Sequence, residues 1–153
     1  MGHVREQCRF LDAPANTADI AMQSGGNVSV PFRLYCNTGF TVKLSSEQGA
    51  MVSDTGGLTD AGRAAGFSDR VGYTARFEVQ RDDGTTLAES CTSHELHDGA
   101  AGCAMSSSHG LHSSVSAMNQ SGRLAVNLPD VNPEQMVAGG YSDVLTVNVQ
   151  AQL

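Results

Sequence analysis

"VLTVNVQAQL", residues 144–153, alternates without a break. Leu145, Val147, Val149, Ala151 and Leu153 fall on one face, and Val144, Thr146, Asn148, Gln150 and Gln152 on the other. A period of two is that of an extended strand with one side against a core and the other toward water. The same period recurs upstream. In "NVSVPFRLYC" (27–36), Val28, Val30, Phe32, Leu34 and Cys36 share a face opposite Ser29, Pro31, Arg33 and Tyr35. Pro31 has no amide hydrogen for a ladder, so its nitrogen is expected at an edge or a bulge. After the turn "NTG", "FTVKL" (40–44) puts Phe40, Val42 and Leu44 inward. "VGYTARFEVQ" (71–80) aligns Val71, Tyr73, Ala75, Phe77 and Val79, and "RDDGTT" turns the chain into a return strand near "TLAES" (86–90). "GRLAVNL" (122–128) aligns Leu124, Val126 and Leu128.

Between these segments the chain is rich in Gly, Ser and Ala. "GGLTDAGRAAGFSDR" (56–70) has room for one helical turn, and "AGCAMSSSHGLHSS" (101–114) reads as loop. Short strands with one apolar face, separated by turn clusters and without long helical periodicity, predict an all-β chain folded as a β-sandwich. Uneven strand spacing disfavours a barrel, and no internal repeat suggests a solenoid. The 153 residues are read as one domain, 1–153.

A formal charge of −7, with Lys43 the lone lysine, argues against a nucleic-acid partner, which needs clustered cations. No run approaches 18 apolar residues, so no transmembrane segment is expected. "MGHVREQC" lacks the apolar centre of a secretory leader. Yet the four cysteines form two local pairs, Cys8 with Cys36 and Cys91 with Cys103, and none lies in a C-x-x-C. Three connectivities are open to four cysteines. Local pairing would close loops worth about 3 to 4 kcal/mol each on the chain-entropy model. Disulfides imply an oxidising compartment. The two observations agree if the natural leader has been removed and Met1 begins a mature or recombinant form.

Residues 91–112 hold Cys91, Cys103, His94, His97, His109 and His112, the ligand types of a zinc or copper site. "HELH" is not H-E-x-x-H, because its second histidine stands at i+3 with no helical pattern around it. Oxidised cysteines cannot ligate zinc. A histidine-only site is the alternative, and the expected reading is a disulfide-closed loop with solvated histidines and no metal. Other chemistry is equally thin. There is no G-x-S-x-G elbow, and "DAGRAAGFSD" follows no strand as a phosphate loop would. Asp82, Asp83 and Glu89 read as ordinary turn and surface acids. Asp54, Asp60 and Asp69 match no calcium-loop spacing. The six methionines are scattered. Neither an enzyme nor a cofactor is expected.

The strongest strand runs to the last residue, and only seven residues precede Cys8, too few and too polar for an additional core strand. A sandwich short of a neighbour for its final strand exposes an edge and an apolar groove, which proteins avoid leaving open. A strand from another chain can fill both.

"AGGYSDVLTVNVQAQL" resembles the carboxyl-terminal signature of the spore coat protein U family, the pilin-like domains of archaic chaperone–usher pili. That signature is a Gly-x-Tyr-x-Asp turn running into an alternating strand, matched by Gly139, Tyr141 and Asp143. "NVSVPFRLYCNTGFTVKL" is similar to the family's cysteine-ended strand, turn and next strand, and "GYTARFEVQRDDGTTL" to its middle strand and turn. The resemblance implies an immunoglobulin-like sandwich lacking its final strand. It implies export to the periplasm, a periplasmic chaperone and an outer-membrane usher as partners, and assembly with neighbouring pilus subunits into an adhesive surface fibre. Cys8–Cys36 matches the family's pairing, which leaves Cys91–Cys103. The second pair and the histidines are additions to the pattern. No donor extension is visible before Cys8, which suggests a fibre-end subunit, a trimmed form or a stand-alone surface domain. The donor-strand groove is expected to draw on Leu145, Val147 and Val149 along one side, and on Val28, Val30 and Phe32 elsewhere in the core. The alternatives are a self-contained secreted sandwich that binds a ligand or metal, and an envelope anchor for an adhesive.

Overall fold

A computed structural model describes residues 2–12, 16–22 and 25–152; Met1 and Leu153 lie outside the described residues. Its strands are, in chain order, β1 (Cys8–Leu11), β2 (Asn27–Cys36), β3 (Phe40–Ser46), β4 (Met51–Ser53), β5 (Arg70–Val71) and β6 (Thr74–Gln80). Then come β7 (Thr86–Thr92), β8 (Leu111–Ser113), β9 (Ala117–Asn127), β10 (Tyr141–Ser142) and β11 (Leu145–Ala151). The two short helices are α1 (Asp60–Ala64) and α2 (Ser93–Asp98). One sheet has the order β1-β2-β9-β6-β7, a second β11-β3-β8, and a small third β10-β4-β5, all antiparallel.

Alternation decides what each strand buries. Phe40, Val42 and Leu44 of the second sheet pack with Leu34, Ala75, Phe77 and Val79 of the first in one core cluster, and all seven are essentially inaccessible. The arrangement is all-β and sandwich-like. Their outward neighbours Arg33, Arg76 and Gln80 are exposed. β2 and β9 slip register between Leu34 and Cys36, where Gln120 and Ala117 are their partners. The extra residue is accommodated by Asn119 at φ +60°, a conformation asparagine tolerates better than most residues. Arg33 holds this bulge, its Nε donating to Asn119 Oδ1 at 2.8 Å and its Nη2 to Asn119 O at 2.7 Å.

Both disulfides close the local pairs. Cys8–Cys36 joins β1 to β2 at a register pair, and Cys91–Cys103 ties β7 to the following loop. The helical turn expected within 56–70 is α1, capped by Thr59 and secured by Arg63 gripping Asp69 at 3.0 and 3.1 Å.

Two segments differ from expectation. "HELH" is framed by a helix, α2. Thr92 and Glu95 form a reciprocal capping box, and Leu96 is buried to 2% exposure. Six residues are too few for a helical period to show, so capping and one buried leucine set this element. The stretch 101–114 is not simply loop. It contains a 3₁₀ turn, Ala104–Ser106, and then β8, which pairs with β3. The turn is fixed by Glu89, whose carboxylate accepts from Ala104 N at 3.0 Å and Met105 N at 2.9 Å. Glu89 is therefore a structural cap rather than an ordinary surface acid. Asp82 is likewise a clamp, accepting from Ser116 Oγ at 2.6 Å, Gln120 Nε2 at 2.7 Å and Met118 N at 3.0 Å.

Candidate functional site

β1 pairs with β2 only from Arg33 to Cys36. On that flank Asn27–Phe32 has no strand partner among the described residues, although β9 covers the other flank throughout. Pro31 falls within this bare stretch, where the missing amide hydrogen costs nothing. β11 pairs with β3 along its whole length, and its other edge is also unpaired among the described residues. The two bare edges belong to different sheets. β1 approaches β11 at one end of the seam between them; beyond β1 the seam opens.

The opening is an apolar cleft of about 470 Å³. Val28, Val30 and Phe32 line it from β2, Leu145 and Val147 from β11, and Leu124 and Val126 from β9 behind. Five of the six expected groove residues thus share one cavity. Val149 is not among the lining residues; it pairs with Val42, near the Cys36–Phe40 turn that β1 covers. Phe32 forms the floor at that end. Its ring stacks on Phe77 at 5.4 Å and meets the edge of Phe10 at 5.3 Å. It can lie across β9 because Gly122 is beneath it: a Cβ there would stand 2.5 Å from the ring.

The mouth is partly covered from within the chain. Asn16, Thr17, Ala18 and Ile20 line the cleft, and Ile20 and Met22 pack against the core while staying half exposed. This segment is not a strand, and among the described residues it makes no backbone hydrogen bond to β2 or β11. It covers side chains without satisfying either edge. Sequence reading missed it, although Ala18, Ile20 and Met22 alternate with Thr17, Asp19 and Ala21.

The far end of the cleft is polar. Asp143 and Tyr73 both line it. Tyr73 OH and Ser46 Oγ donate to Asp143 Oδ2, while Gln48 N and Val144 N donate to Oδ1 at 3.0 and 2.8 Å. Burial, reinforced by the bond to Asp143, pushes the Tyr73 hydroxyl far above its ordinary 10.0, so it stays protonated and donating. The Gly-x-Tyr-x-Asp turn is thus a brace. Gly139 takes φ +128° against Thr55 and Asp54, Gly140 N donates to Asp54 at 3.1 Å, and Tyr141 OH donates to Val137 O at 2.6 Å. Together these contacts fix where β11 begins.

The four histidines do not converge. His94 and His97 are on α2, 3.1 and 3.8 Å from Asp98. His97 Nδ1 also lies 3.2 Å from Ser46 O, His112 on β8 contacts Gln152, and His109 is exposed in the loop. Among the described residues, the one group of three close metal-ligand types is Glu89, Cys91 and Cys103. Both of its sulfurs are in a disulfide, and its carboxylate already caps a turn. Asp54 and Asp69 are each committed to partners of their own. No described helix is long and apolar enough to cross a membrane.

Comparison with protein-family models, curated proteins and solved structures finds no match to this chain.

Proposed function

We propose that this chain is a structural, adhesive subunit of a surface fibre, an immunoglobulin-like pilin sandwich completed by a strand from a neighbouring subunit. The observation that carries the reading is the pair of bare edges, β2 and β11, on either side of an apolar cleft. A strand laid between them would satisfy backbone groups on both edges and seat alternate side chains on Val28, Val30, Leu145 and Val147. Three or four large side chains buried this way would gain roughly 1.5 to 3 kcal/mol each before ordering costs. Two disulfides suit passage through an oxidising periplasm. A chaperone and an usher follow from the resemblance of the carboxyl-terminal signature. Residues 16–22 then act as a provisional cover, which the incoming strand displaces because it adds the ladder hydrogen bonds the cover lacks.

The same cover supports a second reading, a surface domain or envelope anchor that closes its own groove. Thermal melts separate them. A synthetic peptide of alternating large apolar and polar residues should raise the melting temperature, and a scrambled peptide of equal composition should not. A monomer that melts high and ignores both peptides would sink the fibre reading in favour of the self-closed domain.

A further inference from the structure

The outer face of the five-stranded sheet carries a feature unrelated to the cleft, which opens on its inner side. Arg9 on β1 is opposite Tyr35 on β2. Two residues back along β2 is Arg33, opposite Ser121 on β9. Two further along β9 is Arg123, opposite Glu78 on β6, and Arg76 lies two residues beyond Glu78, opposite Ala125. Because Ala125 pairs with Ser29 and Arg123 with Pro31, every step runs in the same direction. The four arginines therefore make one straight diagonal across four strands. Diagonal neighbours in a sheet are about 7–8 Å apart. All four are exposed.

Register and alternation place one acid on this face, Glu78, giving the face a net +3. The other five cations and fifteen acids of the chain lie elsewhere and sum to −10, within an overall −7. Glu78 does not erase the row. It accepts from the Nε of both Arg76 and Arg123 and so orients the two guanidinium groups. Arg33 is held by Asn119, Arg76 also by Ser90 at 3.3 Å, and Arg9 lies 5.4 Å over the Tyr35 ring. Each guanidinium keeps unspent N–H donors in a fixed fork, the geometry that suits carboxylates.

We propose that this arginine diagonal binds an extended polysaccharide bearing carboxylates. A regular straight row of cations matches a linear polymer that repeats its charge, better than the uneven acids of a folded protein. Ser29, Thr74, Ser90 and Ser121 also face outward among the arginines, offering partners for sugar hydroxyls. Base stacking has no platform here, since the aromatic ring on this face, Tyr35, is already beneath Arg9.

The test uses the full chain with alginate as probe. Alginate should bind at low salt and be released as salt rises. The Arg9→Gln/Arg123→Gln pair should weaken binding by about tenfold or more. Arg63→Gln/Arg70→Gln, which removes the same charge off this face, should change it less than about twofold. Ser121→Glu, which sets an acid beside Arg33 and removes no arginine, should weaken binding even if the first pair proves unstable. No binding of alginate by the unmodified chain would overturn the proposal. So would equal losses in the two double variants, or tighter binding to neutral dextran, a single-stranded oligonucleotide or anionic phosphatidylglycerol vesicles.

Discussion

Asp143 shows how much one side chain carries. Its carboxylate accepts from two hydroxyls and two backbone amides just ahead of β11, at the polar end of the cleft. Asp143→Asn preserves size but turns one acceptor into a donor that faces Tyr73 and Ser46, or else Gln48 and Val144. The expected cost is about 1 to 3 kcal/mol, read as a lower denaturation midpoint at unchanged slope. Asp143 was legible in the sequence as part of a motif, but its role was not. Its partners Ser46, Gln48 and Tyr73 are 70 to 97 residues away in the chain, and nothing local points to them. Glu89 and Asp82 escaped for the same reason: a carboxylate in a strand or turn reveals its amide partners only when the chain folds back.

Among the elements, β11 was the easiest to read and β1 the hardest. Seven residues of strict alternation in β11 declare both faces. Val147→Asp would place a charge on the inward face opposite Leu44. It should cost about 2 kcal/mol or more and abolish any stabilisation by an added strand peptide. Asn148→Asp, exposed and opposite Lys43, should shift stability by less than about 0.5 kcal/mol. Melts of both variants, with and without peptide, check the pair; equal effects would mean that the face assignment is wrong. β1 has four residues and β8 three, too short for a period to stand out. They exist because longer neighbours offer edges. α2 did leave a local signal, the T-x-x-E box of Thr92 and Glu95 followed by Gly99, that hydrophobic periodicity overlooks.

At the scale of the whole molecule, charge and pH set the limits of stability. Asp82 is exposed; the desolvation it does feel opposes ionisation, but hydrogen bonds from Ser116, Gln120 and Met118 outweigh this and hold its carboxyl below the ordinary 3.8. The Thr85 hydroxyl and amide do the same for Asp83, and the Arg63 guanidinium for Asp69. Lowered folded values mean that the stabilisation is complete above the ordinary aspartate range and is lost as pH falls through the depressed values. Tyr73 has the opposite sign: with its folded value raised, its stabilisation is whole below the ordinary 10.0 and is lost as pH climbs from there toward the raised value. The melting temperature should therefore stay nearly flat from about pH 5 to 9, fall below about pH 4, and fall again above about pH 10. Asp82→Asn should shallow the acid limb; an unchanged limb would remove Asp82 from the account. The all-β class and the inward and outward faces of each long strand are legible in the residues alone, and so is the grouping of the cysteines into two local pairs, though three connectivities stay open at that level. Period and proximity are properties of neighbouring residues. Folding settles the disulfide connectivity, which edges stay bare, that Val149 falls outside the cleft, that residues 16–22 cover its mouth, and that four arginines align across β1, β2, β9 and β6. Each of these depends on strand order and register, which are set where distant segments meet.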